Sequence, residues 1–364
     1  MKLGIIGFPN AGKTTVFNAL TGQDMETAVY PGALSAEPQI GAVKVPDRRL
    51  DSLTAVFKPK KTVHADVMCA DITGFAKGIS AGSHKAELFD QTWDCEALIH
   101  IVRAFEDPSV IHPENTIDPV RDAALLELEL IFHDLELAET RLERIAQDEK
   151  KGIAAEKTAE KEVLEKCRAH LEYEKPLRNL GLSAGELKHI GSLQFISLKP
   201  ELVVLNVSEE EIGSEKAAKT LKELSDCFEK DVLTFSLSGK IEMEISRLSP
   251  EEAGPFLDDL GIREPALDLV IREAYELLGL ISFFTVGEDE VRAWTIRTGT
   301  PAVRAAGKIH SDIERGFIKA EVVGYDDFTA AGSMAAAREK ALLRLEGKDY
   351  EVRDGDIITF RFNV

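Results

Sequence analysis

The stretch G-F-P-N-A-G-K-T near the start of the chain contains residue types that bind phosphate. Gly7, Gly12, Lys13 and Thr14 match the pattern G-x-x-x-x-G-K-[ST], in which the glycines let the backbone wrap closely around phosphates. In this pattern the lysine reaches the β- and γ-phosphate oxygens, and the hydroxyl is offered to Mg²⁺. The residues therefore indicate binding of a nucleoside triphosphate together with Mg²⁺.

The residues on either side of this pattern predict the elements that position it. Residues 2–6 are a short apolar run, which is typical of a buried parallel strand. Residues 15–20 then continue as a helix with Val16, Phe17 and Leu20 on its apolar side. A strand, a glycine-rich loop and a helix in this order aim backbone N–H groups and the positive end of the helix at phosphates.

A second part of the expected site lies in the stretch V-M-C-A-D-I-T-G-F. An apolar strand ends in Asp71, where a carboxylate can hold Mg²⁺ through water. Gly74 follows and lets its backbone N–H approach the γ-phosphate. Between the two motifs, Ser35 is the hydroxyl that we expect to reach Mg²⁺, although a plain surface-loop serine fits the same pattern. The predicted metal ligands are Thr14, Ser35 and Asp71.

The segment expected to read the base departs from the guanine-binding pattern Asn-Lys-x-Asp. Here a buried strand ends in Asn206, Val207, Ser208 and Glu209, so the lysine is absent and the acid is longer. A site without the bidentate guanine acceptor loses its main means of rejecting adenine, and we expect ATP rather than GTP. The Asn206 amide both donates and accepts hydrogen bonds, and we expect it to contact the base.

The usual hydrolytic residue is missing from the chain. Many small GTPases place a glutamine directly after Asp-x-x-Gly to orient the attacking water, but this chain has Phe75 there. Lys13 remains as a catalytic residue that neutralises developing charge, and another group must position the water. The residues predicted to contact the nucleotide are Asn10, Ala11, Gly12, Lys13, Thr14, Thr15, Gly74, Asn206, Val207, Glu209, Ser238 and Gly239.

Composition and charge place limits on the whole chain. It has 364 residues, which suffices for two or three domains, and no apolar run reaches the roughly 18 residues that cross a bilayer. The net charge of −20 argues against a protein that coats nucleic acid and leaves only a local basic patch. The scattered cysteines predict neither a zinc site nor a disulfide framework. We expect a monomeric cytoplasmic protein without a signal peptide or membrane contact.

The distribution of apolar and charged segments along the chain predicts its domains. Residues 1–120 and 191–279 alternate apolar strands with helices, as in a doubly wound, mostly parallel α/β nucleotide-binding domain. Residues 121–190 are charged and helical, and Lys151-Gly152 predicts a break between two antiparallel helices, the second ending near Pro176. Residues 280–364 form a compact β-rich unit.

The predicted helical hairpin has an apolar stripe with an imperfect spacing. The stripe begins at Leu126, Leu130 and His133. It continues imperfectly through Leu137, Arg141 and Ile145. Such a hairpin is either a solvated structural element or a partner-binding coiled coil, and the sequence favours neither.

Together these motifs resemble the Obg-related P-loop family, in particular its YchF or Obg-like ATPase branch. The matching stretches include GFPNAGKTTVFNALT, EPQIGAVKVPDRRLDSL, KPKKTVHADVMCADITGFAKG, NVSEE and the tail that ends in DIITFRFNV. The likeness covers nearly the full length, and the tail looks like the TGS domain of that branch, a small β-grasp unit associated with RNA and ribosome contacts. It implies a slow ATPase that uses Mg²⁺ and ATP or ADP and associates with the ribosome.

The resemblance also implies residue roles. Residues 7–15 match the phosphate loop, residues 71–74 the second switch, and residues 206–209 the altered base motif that goes with ATP preference in the branch. The family's proposed catalytic histidine matches His112 in the stretch F-E-D-P-S-V-I-H. The chain departs from the family in its first switch, where Ser35 replaces threonine, and in a second switch that is shorter and poorer in glycine.

The C-terminal unit contains the candidate contact with RNA. Phe317 is available to stack on a base, although the same composition fits solvated faces with this ring in the core. Two other functions fit the sequence less well: a nucleotide-dependent binding module with negligible hydrolysis, and a conventional translational GTPase. The candidate cations are Arg297, Arg304, Lys308, His310, Arg315 and Lys319.

Overall fold

The computed structural model describes residues 1–23, 38–72, 91–151, 158–228 and 232–363. The predictions made for Ser35, Gly74, Phe75 and Gly152 lie outside these residues.

The described strands and helices follow one another along the whole chain. The strands are β1 (Lys2–Ile6), β2 (Gln39–Lys44), β3 (Lys61–Val63), β4 (Asp66–Asp71), β5 (Ala97–Arg103), β6 (Glu201–Asn206), β7 (Leu233–Leu237), β8 (Leu280–Val286), β9 (Glu290–Arg297), β10 (Phe317–Gly324), β11 (Arg344–Glu346) and β12 (Asp356–Phe362). The helices are α1 (Lys13–Thr21), α2 (Arg48–Phe57), α3 (Pro119–Lys150), α4 (Thr158–Leu171), α5 (Ala184–Ile190), α6 (Glu215–Cys227), α7 (Gly239–Arg247), α8 (Pro250–Asp259), α9 (Ala266–Leu277), α10 (Ala302–Ile309), α11 (Ser311–Arg315), α12 (Tyr325–Ala331) and α13 (Met334–Glu339).

The chain divides into two compact units, each made of separate segments. The first contains residues 1–41 and 68–267, and the second contains residues 42–67 and 268–364. Three boundaries differ from the sequence prediction. The second unit resumes at Asp268 and not at residue 280. Residues 42–67 group with the C-terminal unit instead of the nucleotide-binding domain, and the helical residues 121–190 group with the first unit instead of standing alone.

The first unit is built on a sheet with the strand order β2-β4-β1-β5-β6-β7. β1 pairs in parallel with both β4 and β5, and the pairs β5–β6 and β6–β7 are parallel as well. Every residue of β5 and β6 is buried, as expected of central strands covered on both faces. The predicted doubly wound, mostly parallel α/β fold is confirmed, and its carboxyl edge collects the ends of β1, β4, β5 and β6.

The helical hairpin packs through most of the predicted stripe and through two further residues. Leu126, Leu130 and Ile145 are fully buried as predicted, and Leu137 packs partly buried against the hairpin core. Asp134 and Ala138 are also fully buried on α3, which the sequence did not predict.

Asp134 can be buried because its carboxylate accepts two hydrogen bonds from backbone N–H groups. The donors are Ile196, at 3.0 Å, and Ser197, at 2.7 Å. A polar residue with two such partners can be buried at low cost, and an apolar pattern does not reveal it.

The second helix of the hairpin, α4, also differs from the prediction because it ends at Leu171 and not near Pro176. Glu174 has a backbone φ of 56°, in the left-handed region that a continuing α-helix cannot use. α3 itself begins with Pro119 at its first turn and is capped by Asp118, whose side chain accepts a hydrogen bond from the backbone N–H of Arg121.

The second unit is built on a sheet with the strand order β11-β10-β12-β8-β9-β3. β8 and β9 form an antiparallel hairpin, β12 lies parallel to β8, and α10 buries three alanines against the sheet. This is the expected β-grasp arrangement. Phe317 is buried in its core, with its ring 6.0 Å from that of Phe360, so the prediction that Phe317 stacks on a base is wrong.

Residues 42–67 join the second unit through specific contacts. β3 lies parallel to β9, and the Arg49 guanidinium donates to Asp354 at 2.6 Å. The Phe57 and Phe328 rings stack with their centres 5.5 Å apart. Short, polar β3 carries no sequence signal for this pairing, because an edge strand of a few residues is selected by its tertiary neighbour. Within the described ranges, no helix is long and apolar enough to cross a bilayer.

Candidate nucleotide site

The loop between β1 and α1 adopts a conformation that only glycine permits at its two ends. Gly7 has φ 147° and Gly12 has φ 94°. A Cβ atom at Gly7 would lie 2.3 Å from the carbonyl oxygen of Ile101, and one at Gly12 would lie 2.2 Å from Nδ2 of Asn206. Both backbone conformation and close packing therefore require these glycines.

Lys13 is buried at the start of α1, with its ammonium group inside the loop. Its Nζ donates hydrogen bonds to the carbonyl oxygens of Gly7, at 2.9 Å, and of Phe8, at 3.0 Å. Burial lowers the pKa of Lys13 to about 8, and the nearby Asp71 carboxylate opposes this shift. A buried cation that is held mainly by neutral carbonyls favours an anionic ligand, because an anion would compensate the lost hydration.

Thr14 and Asp71 form a pair beside this lysine that fits a divalent cation. The Thr14 hydroxyl donates to Oδ2 of Asp71 at 2.7 Å. The second carboxylate oxygen, Oδ1, is buried and has no hydrogen-bond partner among the described residues. Burial also raises the pKa of Asp71. A hydroxyl and an unpartnered carboxylate oxygen are the hard ligands that Mg²⁺ prefers, so the residues present fit this ion.

Asn206, at the end of β6, clamps two backbone segments together. Its Nδ2 donates to the carbonyl oxygen of Ala11 at 3.0 Å, and its Oδ1 accepts from the backbone N–H of Gly239 at 2.9 Å. The side chain is buried, and each end of the amide makes one hydrogen bond to the protein. Asn206 thus clamps Ala11 and Gly239. Its Nδ2 keeps a second N–H and its Oδ1 a second lone pair, so the contact with the base stays a prediction.

A pocket of about 890 Å³ opens over this loop. This pocket is lined by the described residues that the sequence predicted to contact the nucleotide, except Ala11 and Gly239. The sequence analysis did not predict that the segment after β5 lines the pocket. This could have been predicted, because ligands of parallel α/β sheets bind beyond the carboxyl ends of the strands. Ser208, a member of the predicted base motif, lines the pocket as well. The lining residues that were missed are Phe105, Glu106, Asp107, Val110, Glu210, Glu211, Lys216, Lys240 and Met243.

Glu209, at the position that carries an aspartate in guanine-binding proteins, is already paired. Its carboxylate forms an ion pair with the Lys240 ammonium, and this hydrogen bond raises the pKa of Lys240. The longer acid is thus directed to a lysine of α7 at the pocket. Ser238, which precedes α7, is buried and also lines the pocket.

His112 lies in the loop between β5 and α3 and does not line the pocket that the described residues form. The ring is buried, and its Nδ1 accepts a hydrogen bond from the backbone N–H of Glu114 at 3.1 Å, which assigns the ring proton to Nε2. Nε2 lies 2.9 Å from Oδ2 of Asp122. The preceding residue, Ile111, connects the loop to the phosphate loop, because its carbonyl oxygen accepts from Asn10 Nδ2 at 2.9 Å.

Comparison with known proteins identifies the family. A protein of Bacillus subtilis (strain 168), named ribosome-binding ATPase YchF, is 44% identical over 369 residues, a match that spans 100% of both chains. The chain belongs to the YchF family. The YchF of Escherichia coli O157:H7 is 40% identical over 364 residues and matches 100% of this chain and 99% of its own. The resemblance inferred from the sequence motifs is confirmed.

Structure and domain profiles agree with membership in the YchF family. The solved structure of a Schizosaccharomyces pombe YchF GTPase superimposes with a TM-score of 0.86 at 33% identity, covering 99% of this chain and 97% of that one. A profile described as a 50S ribosome-binding GTPase matches residues 2–134. The YchF-GTPase C-terminal profile, described as a protein of unknown function, matches residues 280–363.

Proposed function

We propose that this chain is a cytoplasmic ATPase that binds ATP with Mg²⁺, hydrolyses it slowly and associates with the ribosome according to its nucleotide state. The proposal rests on the buried Lys13 ammonium beside the Thr14–Asp71 pair at the mouth of a nucleotide-sized pocket. The full-length likeness to proteins named ribosome-binding ATPases supports it.

The residues present divide the chemistry between them. In-line attack of water on the γ-phosphate builds negative charge on the phosphoryl oxygens, which the Lys13 ammonium neutralises. Thr14 and Asp71 would hold Mg²⁺, which when bound shields charge on the β- and γ-phosphates. Asn206 keeps the phosphate loop against the start of α7, so the loop is shaped before the nucleotide arrives.

The first prediction is that ATP and ADP bind more tightly than GTP and GDP. The Glu209 carboxylate is one methylene longer than the aspartate of guanine-binding proteins and is paired with Lys240, so it is not placed to accept the two guanine N–H bonds as that aspartate does. Loss of such a hydrogen-bond set costs about 1–3 kcal/mol, which corresponds to roughly ten- to a hundredfold in affinity. Titration calorimetry with ATP and GTP side by side measures the ratio.

A matched variant identifies the cause of the preference. Glu209→Asp shortens the acid to the length used by guanine-binding proteins and should narrow the ratio of the two affinities. Tighter binding of GTP than of ATP by the parent chain would overturn the proposed nucleotide and favour the translational GTPase.

The second prediction concerns His112, which we propose as the group that positions the attacking water. His112→Ala should slow single-turnover hydrolysis by roughly 10²–10⁴-fold, the range of general acid–base catalysis, while ATP affinity changes little. In the structure the ring is turned to Asp122, so the loop must rearrange for this role. Asp122→Asn, which keeps the shape but removes the charge, is the companion variant.

The position of His112 also favours a second candidate function. Its burial against Asp122 fits a nucleotide-dependent binding module whose hydrolysis is negligible. Turnover measured with and without ribosomes separates the two functions. If hydrolysis by the parent and by His112→Ala is equally fast, His112 is a structural residue of the loop.

The third prediction places the ribosome or RNA contact in the C-terminal unit. Three of the expected cations lie beside acids of the unit, since Arg304 pairs with Glu314, and Arg315 and His310 both lie against Asp312. Lys308 and Lys319 are exposed and form no ion pair with a described residue, so they remain for phosphates.

Charge reversal tests this contact without removing part of a folded unit. Lys308→Glu combined with Lys319→Glu should weaken co-sedimentation with ribosomes about tenfold or more and flatten its salt dependence, because fewer counterions are released. Lys222→Glu on α6, an exposed lysine of the first unit, is the matched control. Unchanged co-sedimentation of the double variant would move the contact elsewhere, with the helical hairpin as the next candidate.

A further inference from the structure

The loop that follows β5, residues 104–118, contributes residues to the nucleotide pocket and also contains His112. Phe105 and Val110 line the nucleotide pocket, while His112 lies further along the same loop against Asp122. The chain enters this loop from Arg103, the last residue of β5, which stands opposite Asn206 in the strand register. The position of Arg103 is therefore at the carboxyl edge of the sheet, where parallel α/β folds bind their ligands.

Arg103 is almost fully buried, with 3% of its surface exposed, and it holds the loop at two points. Its Nε donates to the carbonyl oxygen of Phe105 and its Nη2 to that of Val110, both at 3.1 Å. Its guanidinium carbon lies 4.5 Å above the centre of the Phe105 ring. One arginine thus fixes the backbone of both wall residues and one face of the aromatic ring.

The guanidinium is incompletely satisfied in this position. Its Nη1 is buried and has no hydrogen-bond partner among the residues that the structure describes. A buried donor without a partner costs free energy, and such groups are uncommon in native proteins unless the residue has another role. If Arg103 only had to donate hydrogen bonds to two backbone carbonyl oxygens, a smaller or neutral side chain could do so. Burial of such a side chain would cost less free energy.

The geometry also ties this wall to the phosphate loop. Phe105 lies beside Gly12, since a Cβ atom built on Gly12 would be 3.9 Å from the edge of its ring. On the other side of Val110, the carbonyl oxygen of Ile111 accepts from Asn10. The wall held by Arg103 therefore borders the phosphate loop and lines the same pocket as Lys13.

We propose that Arg103 is a positioning residue for the nucleoside part of the ligand, acting through Phe105 and Val110. The inference rests on the proposed binding of ATP at this pocket. The phosphate chain of the ligand would be held by the loop around Lys13, whereas the hydrogen bonds of Arg103 to described residues go to Phe105 and Val110. Removal of Arg103 should therefore weaken the binding of ligands that carry a base and a ribose. The binding of a bare polyphosphate should stay nearly unchanged.

The test compares ADP with inorganic tripolyphosphate on the full chain. Arg103→Met removes both hydrogen bonds and the flat face over the ring, and should weaken ADP binding about five- to fiftyfold while tripolyphosphate binding stays within about twofold. Arg103→Lys keeps the charge but not the fork and should fall between parent and Arg103→Met. Arg141→Met, which removes a hairpin arginine paired with Glu160, is the matched control and should change neither affinity.

The outcomes separate this proposal from a structural role and from the proposed function. An equal loss for ADP and tripolyphosphate, or no loss for either, overturns the positioning role. If Arg103→Met does not fold, Phe105→Ala replaces it, because it removes the supported ring and should reproduce the selective loss of ADP. A parent chain that binds tripolyphosphate but no ADP overturns the proposed function, and the role of Arg103 with it.

Discussion

Lys13→Ala is expected to weaken ATP binding about ten- to a hundredfold and to slow hydrolysis further, by roughly 10²–10³-fold, because the ammonium acts most strongly on charge that develops in the transition state. The buried ammonium now donates to two backbone carbonyls, which a phosphate chain can replace as acceptor. Titration calorimetry gives the affinity and single-turnover hydrolysis gives the rate.

The pH dependence of ATP binding provides an independent check on this lysine. Burial lowers the pKa of Lys13 to about 8, and a bound phosphate chain raises it again because it favours the charged form. ATP affinity should therefore be constant below about pH 8 and fall as the pH rises above it, when the free protein loses the proton that the complex needs. Lys13→Ala should abolish this decrease in ATP affinity at high pH.

Another pocket lysine supplies the control. Lys216 lines the same pocket but is exposed and paired with Glu211, so Lys216→Ala should change ATP affinity less than about threefold. If Lys13→Ala and Lys216→Ala behave alike, the phosphate loop does not bind the triphosphate.

Arg178→Met should destabilise the first unit by about 3–5 kcal/mol, the cost of leaving the buried Glu201 carboxylate without its cation and the Glu127 carboxyl group without its donor. The Nη2 atom of Arg178 contacts both carboxylate oxygens of Glu127 at 2.7 Å and also pairs with Glu201. Glu201 in turn lies 2.9 Å from Nδ1 of His100. These buried groups connect α3 of the hairpin to β5 and β6, so their loss affects the docking of the hairpin. Urea denaturation of variant and parent measures the difference.

The same cluster makes stability depend on pH. Burial and the neighbouring Glu201 raise the pKa of Glu127 to about 8, whereas Arg178 and His100 outweigh burial and lower the pKa of Glu201 to about 2. Glu127 thus holds a proton in the folded chain that it releases on unfolding, so stability falls as the pH rises from about 4.5 to about 8. Glu201 has the opposite sign, and its contribution is lost as the pH falls below about 4.5.

Two variants separate these effects. Glu127→Gln should remove the decline in stability between pH 5 and 8 while leaving the fold intact, because a neutral amide replaces a group that is already protonated. Arg141→Met breaks a partly exposed pair on the same hairpin and should cost less than about 1 kcal/mol. If Arg178→Met costs no more than Arg141→Met, the buried cluster is not an important source of stability.

The sequence by itself determined the nucleotide-binding half of this protein well. β1 occupies the predicted residues 2–6, α1 begins at Lys13, and β4 ends at Asp71. These elements were predictable because a short apolar run, a glycine pattern and a helix signal are all local, and each favours the same fold. The motif that departs from the guanine pattern was also visible locally, and so was the resemblance to the YchF family.

The tertiary structure alone decided which groups are free to act. Asn206 and His112 have the right chemistry for base and water contacts, but the structure shows the Asn206 amide bonded to Ala11 and Gly239 and the His112 ring buried against Asp122. Ala11 and Gly239 are distant from Asn206 in sequence, and no local pattern encodes a hydrogen bond across such a separation.

Burial and pairing across the fold explain the remaining differences. Phe317 could face solvent or core on its strand, and the packing of α10 against the sheet placed it in the core. β3 joins the C-terminal sheet although it lies among the residues of the nucleotide-binding domain in sequence. Arg103 carries no motif, and only its place at the end of β5 shows that it supports the pocket wall. Such roles follow from which surfaces meet when the chain folds, and that is a property of the whole structure.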